Sequence, residues 1–251
     1  MPEYSPTQQI IELSLAELRN IMQWVREREK NDENQLTILI GGWAVDAYNP
    51  WYGSIDIDLV TNHTTREHLK WYLQNQSGFE HLREPGLHSV TKNTTAGKIT
   101  IDFLSRETAD PFEGRPETLD FHVLDGNTEI KTVRKDIHAA VPKRSLLLLF
   151  KLKAVWDRTY RIQHNTSEDA LWDQGKSIKD CADILALIDH NFGGNDLDLG
   201  FLGEQFSRFC FLKDCLRIIP ENNDVLTKYG NIDQETARER INTLLSLISY
   251  I

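Results

Sequence analysis

Apolar residues recur at helical spacing through residues 10–28, at Ile10, Leu13, Leu15, Leu18, Ile21, Met22 and Val25, and predict one amphipathic helix. Residues 30–35 form a polar break. Residues 36–40 are a short apolar run ending at Gly41-Gly42, which reads as a buried strand feeding a tight turn. Residues 43–47 fit a short helix, and Asn49-Pro50 and Gly53-Ser54 punctuate a loop. Residues 55–60 alternate strictly, as a strand does. Residues 64–76 read as a helix with Thr64 or Thr65 near its N-cap. Two or three strands follow over residues 79–104, with turns at Pro85-Gly86 and Ala96-Gly97. Residues 121–124 and 129–133 predict a hairpin around Asp125-Gly126.

The pattern changes near Pro142, which fits the first turn of a helix. Beyond it, helices are expected over residues 143–161, 177–189, 202–216 and 234–250. The expected class is α+β: a domain with a mixed sheet over residues 1–135, then a helical C-terminal domain over 136–251. The glycine-aspartate run 193–198 falls between two of these helices and reads as a polar loop.

With 251 residues, 40% of them hydrophobic, the chain can bury a sizeable core as one large domain or two small ones. A formal net charge of -10 argues against uniform coating of nucleic acid or of an anionic membrane, while leaving room for a local basic site. Three cysteines, none in a CxxC pair, give no disulfide framework and no zinc site, and favour a reducing cytoplasm. The first residues lack a basic region followed by an apolar run, so no secretory signal is expected. The longest apolar run, residues 146–150, is too short to span a bilayer, and no membrane partner is expected.

The sharpest chemistry lies in Gly41-Gly42-Trp43-Ala44-Val45-Asp46 and Ser54-Ile55-Asp56-Ile57-Asp58-Leu59. Alternation along a strand sends Asp56 and Asp58 to one side, and Ile55, Ile57 and Leu59 to the other. Two such carboxylates repel each other unless a cation lies between them or water solvates them. In Ile99-Thr100-Ile101-Asp102-Phe103 the same parity puts Asp102 on the polar face. If the two strands pair, three carboxylates converge on a divalent site for Mg²⁺ or Mn²⁺. Gly41 and Gly42 would let the backbone approach a phosphate closely.

The segment GGWAVDAYNPWYGSIDIDLV resembles the signature of the nucleotidyltransferase superfamily with a DNA polymerase β-like fold: a glycine pair, a short helix, then a D-x-D strand. Its GGWA-x-D form is similar to aminoglycoside and lincosamide nucleotidyltransferases. The resemblance implies metal-dependent transfer of a nucleoside monophosphate from a nucleoside triphosphate such as ATP to an acceptor hydroxyl. Gly41, Gly42, Asp56, Asp58 and Asp102 are the matching positions. The basic or histidine-bearing run usual before the D-x-D of those antibiotic-modifying enzymes is replaced here by Tyr52-Gly53-Ser54-Ile55.

Residues 129–161 are rich in Lys and Arg, which in an acidic chain suggests a polyanion at that place. Lys151 and Arg158 are seven residues apart and share a helical face. With Lys179-Asp180 and Asp183 they are similar to the helical half of abortive-infection nucleotidyltransferase toxins. That resemblance implies that the lysines and the arginine hold the triphosphate and that the acceptor is a tRNA 3′ end. Three functions stay open: transfer to a small antibiotic-like hydroxyl compound, transfer to tRNA, or a silent nucleotide-binding or regulatory module of a toxin–antitoxin-like system. Ser54 is open between phosphate contact and turn chemistry, Asp46 between a group supporting the site and a surface helix position. For Trp43 and Trp51 the choice is between base stacking and packing.

Overall fold

The computed structural model describes residues 5–29, 37–81 and 88–249. The polar break at 30–35 and the Pro85-Gly86 turn lie outside them. The chain forms two compact units: Ser5–Ala109 with Asp120–Pro142, and Asp110–Leu119 with Lys143–Ile251. The fold is α+β, with a mixed sheet in the first unit and helices through the C-terminal half.

In the α/β unit, Thr7 caps α1 (Gln8–Arg28) by accepting from the Ile10 amide, and of the stripe its spacing predicts the helix buries Ile10, Leu18, Ile21, Met22 and Val25, with Leu13 and Leu15 half-buried. The 36–40 run yields β1 (Ile38–Ile40), and α2 (Gly41–Asp46) opens directly on the glycine pair. Then come β2 (Ile57–Thr61), α3 (His63–Gln76), β3 (Glu80–His81), β4 (Ser89–Thr94) and β5 (Gly97–Ser105). The N-cap of α3 is Asn62, whose side chain accepts from the Thr65 amide, and not Thr64 or Thr65. The sheet order is β1-β2-β5-β4-β3, with β2 and β5 parallel and the other pairs antiparallel. A parallel pair needs a crossover, and α3 with the β3–β4 strands supplies it. Ile57, Leu59, Ile101 and Phe103 point together into the core, where Trp43 is fully buried with its indole N–H on Ser14 Oγ at 3.1 Å.

The expected hairpin around Asp125-Gly126 is wrong. Asp120 accepts from the His122 amide and starts a short 3₁₀ turn over Phe121–Leu124. The hairpin comes later, β8 (Thr128–Val133) against β9 (Ile137–Pro142). Its turn carries Arg134 at φ 55, a conformation that sequence pattern assigns to glycine or asparagine and that hid the turn. Pro142 accordingly ends a strand, opposite Thr128, and does not open a helix.

The helical unit begins with a ribbon, β6 (Ala109–Pro111) against β7 (Thr118–Asp120). Phe112 packs on Phe209 and Phe211, with ring centroids 4.8 and 5.2 Å away. The ribbon rests on α4 (Arg144–Gln163), where Lys153 Nζ donates to Pro111 O and Trp156 to Glu113 O. Then follow α5 (Ala170–Leu187), α6 (Leu199–Arg208), α7 (Leu212–Ile218), α8 (Asn223–Lys228) and α9 (Gln234–Ser249). Helix α5 starts seven residues earlier than expected because Asp169 caps it, accepting from the Trp172 amide. The expected helix over 202–216 is two, broken at Phe209, whose φ and ψ of -118° and 58° leave the helical region. The run 193–198 is a loop, as its composition predicts, and Asp198 caps α6. Among the described residues no helix is long and apolar enough to cross a membrane.

Candidate functional site

The two central strands carry the acids. Because β2 and β5 are parallel with Asp58 opposite Asp102, the two aspartates are direct neighbours across strands about 4.8 Å apart. Both leave the sheet on the face opposite Ile57, Leu59, Ile101 and Phe103. Asp56 precedes β2 and stands in a bend, one alternation before Asp58. The Asp102 carboxylate accepts from the hydroxyl of Ser89, its register partner on β4. Ser89 is invisible to sequence reasoning, since only the pairing of β4 with β5 brings it there.

Gly41 shows why the strand needs a glycine turn above it. Its φ is +67, and a Cβ built there would lie 1.9 Å from Asp58 Oδ2. The space a side chain would fill is taken by the Asp58 carboxylate, so this backbone lies against an acid. Gly42 is buried in the first turn of α2. Ser54 is buried in the loop that leads into Asp56.

Asp46 is not a surface residue. It is 3% exposed and its Oδ1 lies 2.7 Å from Arg134 Nη2. The same guanidinium reaches the place of a Gly53 Cβ, at 3.3 Å, where φ is +85. Arg134 thus ties the β8–β9 turn to the end of α2 and to the loop before the D-x-D. Tyr48 adds a second tie, its hydroxyl 2.6 Å from Glu129 Oε1 and 2.8 Å from Pro142 O. Trp43 is core. Trp51 stacks on Tyr52 at 4.9 Å.

The basic residues of the helical unit form a separate ionic network between α4 and α5. Lys151 Nζ lies 2.7 Å from both Asp180 and Asp183. Lys179 Nζ contacts both Asp183 oxygens, at 2.8 and 2.7 Å. Arg158 bridges Asp180 and Asp173 at 3.0 and 3.2 Å, and Arg161 also grips Asp173. Burial alone would pull the Lys151 ammonium down, but Asp180 and Asp183 outweigh it and hold its pKa above the ordinary lysine value. For Lys179 burial wins over Asp183, and its pKa falls. The opposite directions follow from the pairing: Lys151 touches two carboxylates and Lys179 shares one. Asp180 is held well below the usual carboxylate range, because Lys151 and Arg158 overcome its burial.

Among the described residues no three acidic, histidine or cysteine side chains stand together as a preformed cage for an ion. The donor chemistry of the sheet still suits a hard divalent cation. Two carboxylates sit side by side, a third lies two residues away, and all offer oxygen. A shallow polar hollow near the start of α9, lined by Asp233, Glu235, Arg238 and Asn242, holds none of the candidate residues. In comparisons with known proteins, the chain matches no family model and no curated protein.

Proposed function

We propose that the chain is a metal-dependent nucleotidyltransferase whose α/β unit has the polymerase β-like arrangement. The observation that carries this reading is the in-register pairing of Asp58 with Asp102 on parallel neighbouring strands, beneath a glycine that leaves room for the Asp58 carboxylate. Asp56, Asp58 and Asp102 are the proposed holders of Mg²⁺ or Mn²⁺. A bound divalent ion would supply charge neutralisation at the α-phosphate and at the departing pyrophosphate. Asp102 accepts the proton of the acceptor hydroxyl, Ser89 fixing the rotamer from which it does so. The new bond joins the acceptor oxygen to the α-phosphorus, and the bond to pyrophosphate breaks. Gly41 and Gly42 keep the neighbouring backbone bare. Within the α/β unit Ser54 is a proposed nucleotide contact, and in the helical unit Lys151, Arg158 and Lys179 are proposed phosphate-binding groups on their charge alone. Each of the three cations would share with phosphate a charge it now shares with Asp173, Asp180 or Asp183.

The test is to incubate the chain with each labelled nucleoside triphosphate, Mg²⁺ and either total RNA or a panel of small hydroxylated compounds. Label in RNA assigns a tRNA-type acceptor, and label in a small compound an antibiotic-like one. Asp58→Asn should abolish transfer while the thermal midpoint stays put, and Asp102→Asn should lose transfer but keep more nucleotide affinity. Normal turnover in Asp58→Asn would end the proposal. The bend position of Asp56, outside β2, favours a second reading, a nucleotide-binding protein without turnover. Saturable nucleotide binding with no label in any acceptor would select it.

A further inference from the structure

Helix α3 carries two cations that have little acid to answer them among the described residues. Arg66 and Lys70 are 6% and 8% exposed, on the same buried stripe as Leu69 and Leu73. Among the described residues, the only carboxylate within ion-pair distance of either is Glu67, at 3.1 Å from Arg66 Nε and 3.8 Å from Lys70 Nζ. The second distance is too long for a hydrogen bond. Glu67 is itself 47% exposed, so water weakens what it offers. Glu107 lies near, but its carboxylate takes the Ser105 hydroxyl and the His63 amide.

The other buried cations among the described residues are far better matched. Lys151 has two carboxylates, and Lys179 both oxygens of one. Lys153 has Asp110, Asp157 and a carbonyl. Arg144 holds the carbonyls of Leu187 and Phe192. Taking a charge out of water is costly unless it is paired and hydrogen-bonded. Among the described residues Arg66 and Lys70 therefore stand out as a pair with buried stems that share the single, half-exposed carboxylate of Glu67.

Two histidines border them. His63 opens α3, and His88 stands just before β4, its carbonyl accepting the Phe103 amide. Partial burial, then the charges of Arg66 and Lys70, hold the exposed His88 imidazole below the ordinary histidine range.

We propose that Arg66 and Lys70, flanked by His63 and His88, form a binding site for a phosphate-type oxyanion. A guanidinium offers a planar fork to such an anion and an ammonium a point charge, and an oxyanion supplies acceptors enough for both. The proposal does not depend on nucleotidyl transfer. The same chemistry is presented by free phosphate and by an RNA backbone.

The test uses the full chain without metal, titrated with inorganic phosphate at low salt while the imidazole signals of His63 and His88 are followed by NMR. Both should shift saturably. Arg66→Gln with Lys70→Gln should weaken binding roughly tenfold or more, the size of a lost charge-assisted contact. Glu67→Gln removes the competing carboxylate and should tighten binding several-fold. This second variant leaves both cations in place, so it decides the matter even where the double variant fails to fold. No saturable shift in the parent chain, or an unchanged affinity in Glu67→Gln, overturns the proposal. A single-stranded RNA oligomer forms the second arm. Displacement of phosphate by RNA, with a salt dependence that drops by about two counterions in the double variant, assigns a nucleic-acid backbone. RNA that leaves the two imidazoles unmoved assigns the free ion.

Discussion

Between α4 and α5 each buried carboxylate has a cation against it: Asp173 has Arg158 and Arg161, Asp180 has Lys151 and Arg158, and Asp183 has Lys151 and Lys179. On the central strands of the sheet the pattern reverses, and an acid stands in register beside an acid, Asp58 next to Asp102. The first arrangement closes its charge within the unit. The second concentrates like charge, which by itself raises the free energy of the folded state. Ion pairs inside a protein can serve stability or positioning, while adjacent like charges shift each other's protonation equilibria. On α3, Arg66 and Lys70 share one carboxylate, that of Glu67.

The largest effect that separates the two regions should come from Asp183→Ala. It strands the buried Lys179 ammonium, leaves Lys151 with Asp180 alone, and should cost about 3–5 kcal/mol in chemical denaturation. Asp58→Asn should cost less than about 1 kcal/mol, or stabilise slightly, since it removes one of two repelling charges. Equal losses in the two variants would erase the contrast. Next in size is Gly41→Ala. The positive φ alone costs about 1–3 kcal/mol, and the Asp58 carboxylate must also move. Adding Asp58→Ala should recover part of the loss, a coupling of about 1 kcal/mol measured by a double-mutant cycle. Simple additivity would show that the two groups do not meet.

Acid should then sharpen the picture. Asp180 is depressed in the folded chain, so between its folded and unfolded pKa values the unfolded state binds more protons. Its contribution is present above the ordinary carboxylate value of about 3.9 and is lost as pH falls through the folded value. Amide protection in α4 and α5 should hold down to about pH 4 and fail below it. Asp180→Asn should remove that acid limb, and a limb of unchanged depth would assign it elsewhere. The smallest effect concerns Arg134. Arg134→Gln loses the ion pair to Asp46 but keeps φ 55, whereas Arg134→Gly loses the pair and relieves the strain. The glycine variant should be the more stable of the two by about 1 kcal/mol, read from thermal midpoints. The reverse order would mean that the turn itself carries no strain.

Much of the α/β unit was legible along the chain. The apolar stripe of α1 and the alternation of β2 and β5 are local signals, repeated over enough residues to outweigh noise. So was the parity that puts Asp58 and Asp102 on polar faces, and the glycine pair ahead of them. The missed hairpin shows the limit. Its turn uses an arginine with positive φ, so no turn residue announced it, and an Asp-Gly pair nearby drew the expectation to the wrong place. The helical network was half legible: the spacing of Lys151 and Arg158 gave a shared face, but not the acids that face would meet.

The sequence by itself determined the class of fold, the strands that carry Asp58 and Asp102 and the side of each strand on which they lie, but not that Asp56 stands in a bend before its strand, because periodicity is set by the geometry of a single element. The tertiary structure decided everything that depends on two elements meeting. It placed Asp102 beside Asp58 through a parallel pairing that spans a long crossover, and it brought Ser89 to Asp102 and Asp58 to Gly41. It also buried Asp46 against Arg134, and turned Lys151 and Lys179 inward onto Asp180 and Asp183. Such contacts are fixed by register and by the burial of apolar surface between elements, and neither is written in the local spacing of residues.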